Sequence, residues 1–182
     1  WNEWLHKRYD STAKLQEAWG QKDEPLGAEM LANTDFAKGT DGWVLEQHEG
    51  AQAAVAPVDD VPEALRGAKS AQVTVARPGT QSWHVRFEQG ALKVQAEQTY
   101  TLVFWARAAA PCTVSVSLEQ NHAPWQNLGL RASLALTEKW QSFRFTPLPN
   151  QADEGARIIF DPPMQPTTFQ VVVSGAVGGT PV

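Results

Sequence analysis

Hydrophobic and polar positions change period once along the chain. Over the first twenty residues Trp1, Trp4, Leu5, Tyr9, Leu15 and Trp19 recur at near-helical spacing, with Glu3, Lys7, Arg8, Lys14 and Glu17 between them. Ser11 can cap a second short helix that Gly20 ends, so one or two amphipathic helices are predicted here. Asp23, Glu24, Pro25 and Gly27 mark a linker over 21–28. From Met30 onward alternation takes over. Residues 71–76, 83–89, 100–107, 113–120, 140–146, 156–160 and 169–174 are short runs rich in Val, Phe, Trp and Thr, each closed by Gly, Pro, Asn or Asp. A parallel sheet would need helical crossovers between such strands, and none is visible. The pattern predicts an all-β sandwich of jelly-roll type behind a short N-terminal helical segment. The expected division is a helical segment and linker over 1–27, a sandwich over 28–177 and a tail over 178–182.

Parity assigns the faces, because successive strand side chains point to opposite sides. Tyr100, Leu102, Phe104 and Ala106 form one apolar face, as do Val85 with Phe87 and Val114 with Val116 and Leu118. These are expected in the core. Trp105, Arg107, His84, Arg86, Glu88, Ser115, Ser117 and Glu119 then fall on outer surfaces. An indole, guanidinium groups, an imidazole, carboxylates and hydroxyls in that company suit a polar ligand with apolar flanks.

Composition narrows the function classes. The chain has 182 residues, 42% hydrophobic and 19% charged, which is ordinary for one globular domain that buries roughly 70% of its unfolded surface. The single cysteine, Cys112, excludes an intramolecular disulfide and a zinc site of several thiolates. Fifteen basic residues against twenty acidic ones, with no basic run, argue against nucleic acid as a partner. No apolar stretch approaches the roughly 18 residues of a membrane helix. A start at Trp1 is what a processed or excised piece would have. Eight tryptophans beside two tyrosines are the feature that stands out.

Several segments carry a resemblance. Leu31 to Phe36 with Gly42-Trp43, Gly67 to Val75, Trp83 to Phe87, Tyr100 to Ala108, Leu136 to Phe145 and Ala156 to Phe160 resemble, in order and spacing, carbohydrate-binding modules of the family 4, 9 and 22 type. The resemblance implies a β-sandwich that binds single polysaccharide chains, such as β-glucan or xylan, in a groove on its concave sheet. It implies no catalysis and no required cofactor. Carried over by position, it places Trp105 and Arg86 on neighbouring strands of that sheet. Glu119, Gln120, His122 and Trp125 would border the groove; by parity His84 shares the outer face of Arg86, while Trp83 shares the parity of Val85 and Phe87 and falls either in the core or on the groove rim. His48 is a further candidate donor to sugar hydroxyls. Structural calcium sites of such modules use oxygen ligands, and Glu29 is the candidate for the first, while Val172 stands where an Asp would fall.

The N-terminal segment resembles helices of (β/α)-barrel glycoside hydrolases, which implies a secreted, extracellular parent enzyme and a module that acts as a monomer to bring it to polysaccharide. A structural spacer without sugar binding is the alternative. Asn2-Glu3 matches the acid/base pair of barrel glycosidases in type only, since that scaffold needs about 250 residues. Cys112 with His84 or His122 has no spacing that makes a nucleophile and base, and the four histidines lack metal-ligand spacing.

Overall fold

The computed structural model describes Arg8 and residues 27–180. The expected helices over 1–20, and Glu3 with them, lie outside the described residues apart from Arg8. Ten strands follow: β1 Val44–Gln47, β2 Gln52–Val58, β3 Ser70–Arg77, β4 Val85–Val94, β5 Thr99–Ala108, β6 Cys112–Gln120, β7 Asn127–Leu136, β8 Gln141–Phe145, β9 Asp153–Asp161 and β10 Thr167–Thr180. They form two five-stranded sheets in the orders β1-β4-β9-β6-β7 and β2-β3-β10-β5-β8. Every pairing is antiparallel. Only the β2–β3 and β6–β7 connections stay within one sheet, and the other connections cross between sheets, the wiring of a jelly roll. No α-helix forms within 27–180.

The residues that parity assigned to the core are buried there. Phe104 of β5 and Phe160 of β9 meet edge to face at 5.1 Å and so join the two sheets. Trp43 stacks on Phe87 at 5.0 Å and is itself almost fully buried. The segment before β1 closes this end of the sandwich. Phe36 is completely buried, and the Gln89 side chain both accepts from Ala32 N–H (2.6 Å) and donates to Ala32 C=O (2.9 Å). A buried amide of β4 is thereby satisfied, and the Leu31–Phe36 stretch is fixed as a plug.

Three strands escaped the alternation reading. β1 is short, and β2 is Ala-rich and carries Pro57, which an edge strand tolerates. β7 has Leu128, Leu130, Leu134 and Leu136 at even spacing, all buried, so its signal was present. β10 also runs to Thr180, three residues past the expected boundary.

Where β6 leaves its pairing with β7 the register jumps, from Leu118↔Leu130 to Glu119↔Asn127. Gly129 sits in this bulge at φ +96°, and a Cβ there would lie 2.5 Å from the Leu148 carbonyl oxygen. Both the left-handed backbone and the close backbone approach exclude a side chain. Gly129→Ala is therefore expected to lower unfolding free energy by about 1–3 kcal/mol, read from denaturant midpoints at unchanged m-value.

Candidate functional site

The outer face of the first sheet carries a layer of charge arranged by register. Arg86 lies opposite Glu46, Glu88 opposite Ile159, and Ile159 opposite Ser117, which in turn faces Arg131. In the flanking rows Asp161 faces Ser115 and Arg157 faces Glu119. Ile159 is fully buried although it points away from the core, because the arms of its charged neighbours close over it.

Ion pairs link these strands. Arg157 Nη1 donates to Glu88 Oε2 at 2.7 Å and lies 3.6 Å from Glu46 Oε2. Arg86 lies 3.5 Å from Glu119 and 3.3 Å from Asp161, and Arg131 reaches the other Glu119 oxygen at 2.7 Å. Three arginines thus face four carboxylates. Burial pushes the Glu88 carboxyl up to about 7, with the Glu46 charge adding to the rise and Arg157 and Arg86 opposing it. Burial likewise pushes Asp161 up to about 6 against the pull of Arg86. Arg86 Nε, Arg157 Nε, Ser117 Oγ and Asp161 Oδ1 are buried without a well-aligned hydrogen bond.

Above this floor opens a cavity of about 490 Å³ lined by Glu46, His48, Trp83, Arg86, Glu119, Trp125, Arg131 and Arg157. That volume lies within the ~300–1,000 Å³ of small-ligand sites. Two indoles flank it, and both are about half exposed, Trp83 at 45% and Trp125 at 54%. Trp83 packs against His48 and His84. Trp125 is held over the floor by the Arg157 guanidinium, 5.4 Å from its ring centre. It also adopts φ +62°, a strained conformation for a bulky residue of the kind that collects at functional sites.

The structure brings the candidates Arg86, Glu119, Trp125, Trp83 and His48 together on this one cavity. Trp105 is a correction. It faces outward, but β5 belongs to the second sheet, where Trp105 lies opposite Val172 and Ser142, so it is not beside Arg86. His84 is a second correction. A 3-10 turn at Ser82–His84 interrupts the strand before β4, so parity does not extend to it; His84 is buried and its Nδ1 accepts from Thr80 N–H. The same turn frees Trp83 from the core parity of Val85 and Phe87 and puts it on the rim.

Gln120 and His122 do not line the cavity. Gln120 is buried on the core side, donating to Asp153 Oδ2 at 2.9 Å and accepting from Gln126 N–H. His122 is exposed, with Nε2 3.0 Å from Asp153 Oδ2 and Nδ1 2.9 Å from the Ala123 carbonyl oxygen. They anchor the loop that presents Trp125. Glu29 is exposed and accepts from Leu31 N–H. Among the described residues no three His, Cys, Asp or Glu side chains gather as a metal site.

Sequence reasoning missed Glu46, Arg131 and Arg157. Arg157 was legible by parity, since Ala156, Ile158 and Phe160 are core. Arg131 was legible in the same way between Leu130 and the later leucines of β7.

A family model described as a carbohydrate binding domain matches residues 28–168. A solved structure titled "CBM4 structure and function" is 28% identical, with a TM-score of 0.68 over 81% of this chain and 99% of that one. The N-terminal cellulose-binding domain of β-1,4-glucanase C from Cellulomonas fimi is 20% identical, with a TM-score of 0.58 over 86% of this chain and 97% of that one. The CBM22-1 xylan-binding domain of Xyn10C from Paenibacillus barcinonensis shares 13% identity and a TM-score of 0.60 over 87% of this chain and 99% of that one. At those last two identities the likeness is one of fold. No curated protein matches the chain.

Glu88 gives the site a testable pH signature. A carboxyl that holds its proton more tightly when folded contributes stability below its unfolded value near 4.5, and that contribution is lost as pH rises to about 7. Glu88→Gln should flatten the fall in stability across this window, measured as denaturant midpoint against pH. An unchanged slope would assign the pH dependence to other groups.

Proposed function

Because the chain belongs to the carbohydrate binding domain family that matches residues 28–168, we propose that it binds one neutral polysaccharide chain, a β-glucan or xylan, across the first sheet. The observation that supports this most is the pair of half-exposed indoles, Trp83 and Trp125, on one cavity with a hydrogen-bonding floor. Pyranose rings have apolar faces that stack on indoles, and hydroxyls that exchange hydrogen bonds with carboxylates and guanidinium groups. Each arginine of the floor already faces a carboxylate, so no excess charge calls for an anionic or cationic ligand. The module has no catalytic role in this reading. It works outside the cell as a monomer, holding an attached glycoside hydrolase near its substrate by raising effective concentration. The xylan and cellulose named for two of the fold's relatives are the first ligands to try.

An open groove that binds by stacking and neutral hydrogen bonds gives modest affinity, roughly micromolar to millimolar, or about −4 to −8 kcal/mol. Affinity electrophoresis in hydroxyethylcellulose, mixed-linkage β-glucan and xylan should show retardation that changes little with salt. Trp125→Ala and Trp83→Ala should each weaken it at least about tenfold, near 1.4 kcal/mol, whereas Trp105→Ala should leave it intact. Retardation by none of these polymers while the protein remains folded would replace this reading with a structural spacer.

A further inference from the structure

The second sheet carries an organised polar surface of its own, on the face turned away from the core. Gln72 of β3, Gln170 of β10 and Arg107 of β5 stand in one row, since Gln170 lies directly opposite both of the others. The row is hydrogen-bonded throughout. Arg107 Nε donates to Gln170 Oε1 at 2.6 Å, and Gln170 Nε2 donates to Gln72 Oε1 at 3.0 Å. Asp60 extends it, accepting from Arg107 Nη2 and, at 3.3 Å, from the Trp140 indole N–H. The Arg107 guanidinium lies 5.3 Å from the Trp140 ring centre. Gln170 is 6% exposed, so its amide is a fixed floor with both ends engaged.

Over that floor lies a cavity of about 260 Å³, lined also by Glu138 and Thr168. We propose that this cavity is a second sugar-binding pocket, separate from the groove, which takes one neutral sugar ring or chain end. Among the described residues Gln72 Nε2, Arg107 Nη1 and the Glu138 carboxylate make no hydrogen bond, so donors and acceptors remain side by side. Vicinal hydroxyls, each both donor and acceptor, match that alternation. The Arg107 charge is already met by Asp60, and exposed Glu138 adds negative charge at the rim, which disfavours an anion. The volume lies just below the ~300 Å³ lower end of ordinary ligand pockets, too small for an extended chain. Because the Arg107–Gln170–Gln72 row is held in place before binding, little side-chain entropy is left to lose.

The experiment is an amide and indole NMR titration of the intact chain with cellotriose and xylotriose at millimolar concentrations, with sorbitol as the acyclic control. Expected are shifts of the Gln72 and Gln170 side-chain amides and the Trp140 indole on a saturation curve distinct from that of Trp125. Glu138→Gln and Gln72→Ala should weaken the first curve at least about tenfold and leave the second unchanged. Glu138 is exposed, so its variant folds even where the Gln72 change disturbs the sheet. Shifts at Trp125 with none at Gln72, Gln170 and Trp140 overturn the second pocket and keep the groove. The reverse keeps the pocket and overturns the groove. Equal response to sorbitol overturns recognition of a sugar ring, and response at neither place overturns both.

Discussion

The groove depends on how one buried cation is satisfied. Arg157 is 4% exposed in the middle strand of the first sheet, and an isolated charge in that position would cost several kcal/mol. Glu88 at 2.7 Å and Glu46 at 3.6 Å meet it from β4 and β1, and its guanidinium plane supports Trp125 from the loop between β6 and β7. One side chain therefore ties the edge strand β1, the strand beside it, and an aromatic platform to a common point. Ile159 shows the consequence for packing: an apolar residue on the outer face of the sheet is completely buried in the midst of these ionic side chains. The aliphatic stems of Arg86 and Arg157 supply apolar cover while their heads supply the polar floor.

The same crowding sets the chemistry offered to a ligand. Seven charged groups packed over one sheet face largely cancel, and what remains at the surface is a set of oriented donors and acceptors between two indoles. Such a surface discriminates by shape and by hydrogen-bond direction more than by field. Glu119 is the clearest case. Its two oxygens hold Arg86 and Arg131 on either side, so two guanidinium groups are aimed from below by one buried carboxylate.

Face was legible in the sequence, and sheet was not. Alternation along β5 correctly put Phe104 inward and Trp105 outward, because pleating is local. Which strands lie beside β5 is decided by long-range crossings between sheets, and nothing in residues 99–108 records that β10 and β8 flank it rather than β4. Trp105 was placed in the groove for that reason. His84 failed differently, since three residues of 3-10 turn are enough to void a parity argument. Trp125 was legible because a Pro-containing polar loop has little apolar company in which to bury an indole. Its support from Arg157 was not, because that contact joins a loop to a strand more than thirty residues later.

The loop that carries Trp125 is stiffened from below, and the charge states involved define where it is stiffest. Asp153 is buried and accepts from Gln120 and from Gly155 N–H, and these bonds with the His122 contact hold its pKa below the usual carboxylate range despite the opposing effect of burial. The bond to the Ala123 carbonyl, with Asp153 at the other nitrogen, raises His122 above its ordinary value. The raised histidine gives a contribution that is full below about 6.5 and fades as pH climbs through its folded value; the depressed aspartate gives one that is full above about 3.8 and fades only in stronger acid. Both hold between about pH 6 and 7, the range in which Glu88 keeps its proton while Asp161 has given its up, so that three arginines face three carboxylates and the groove floor carries least net charge. A loop ordered before binding loses less entropy when a sugar stacks on it. The loop anchor and the groove floor therefore favour the same mildly acidic conditions, although Asp153 and His122 do not line the cavity.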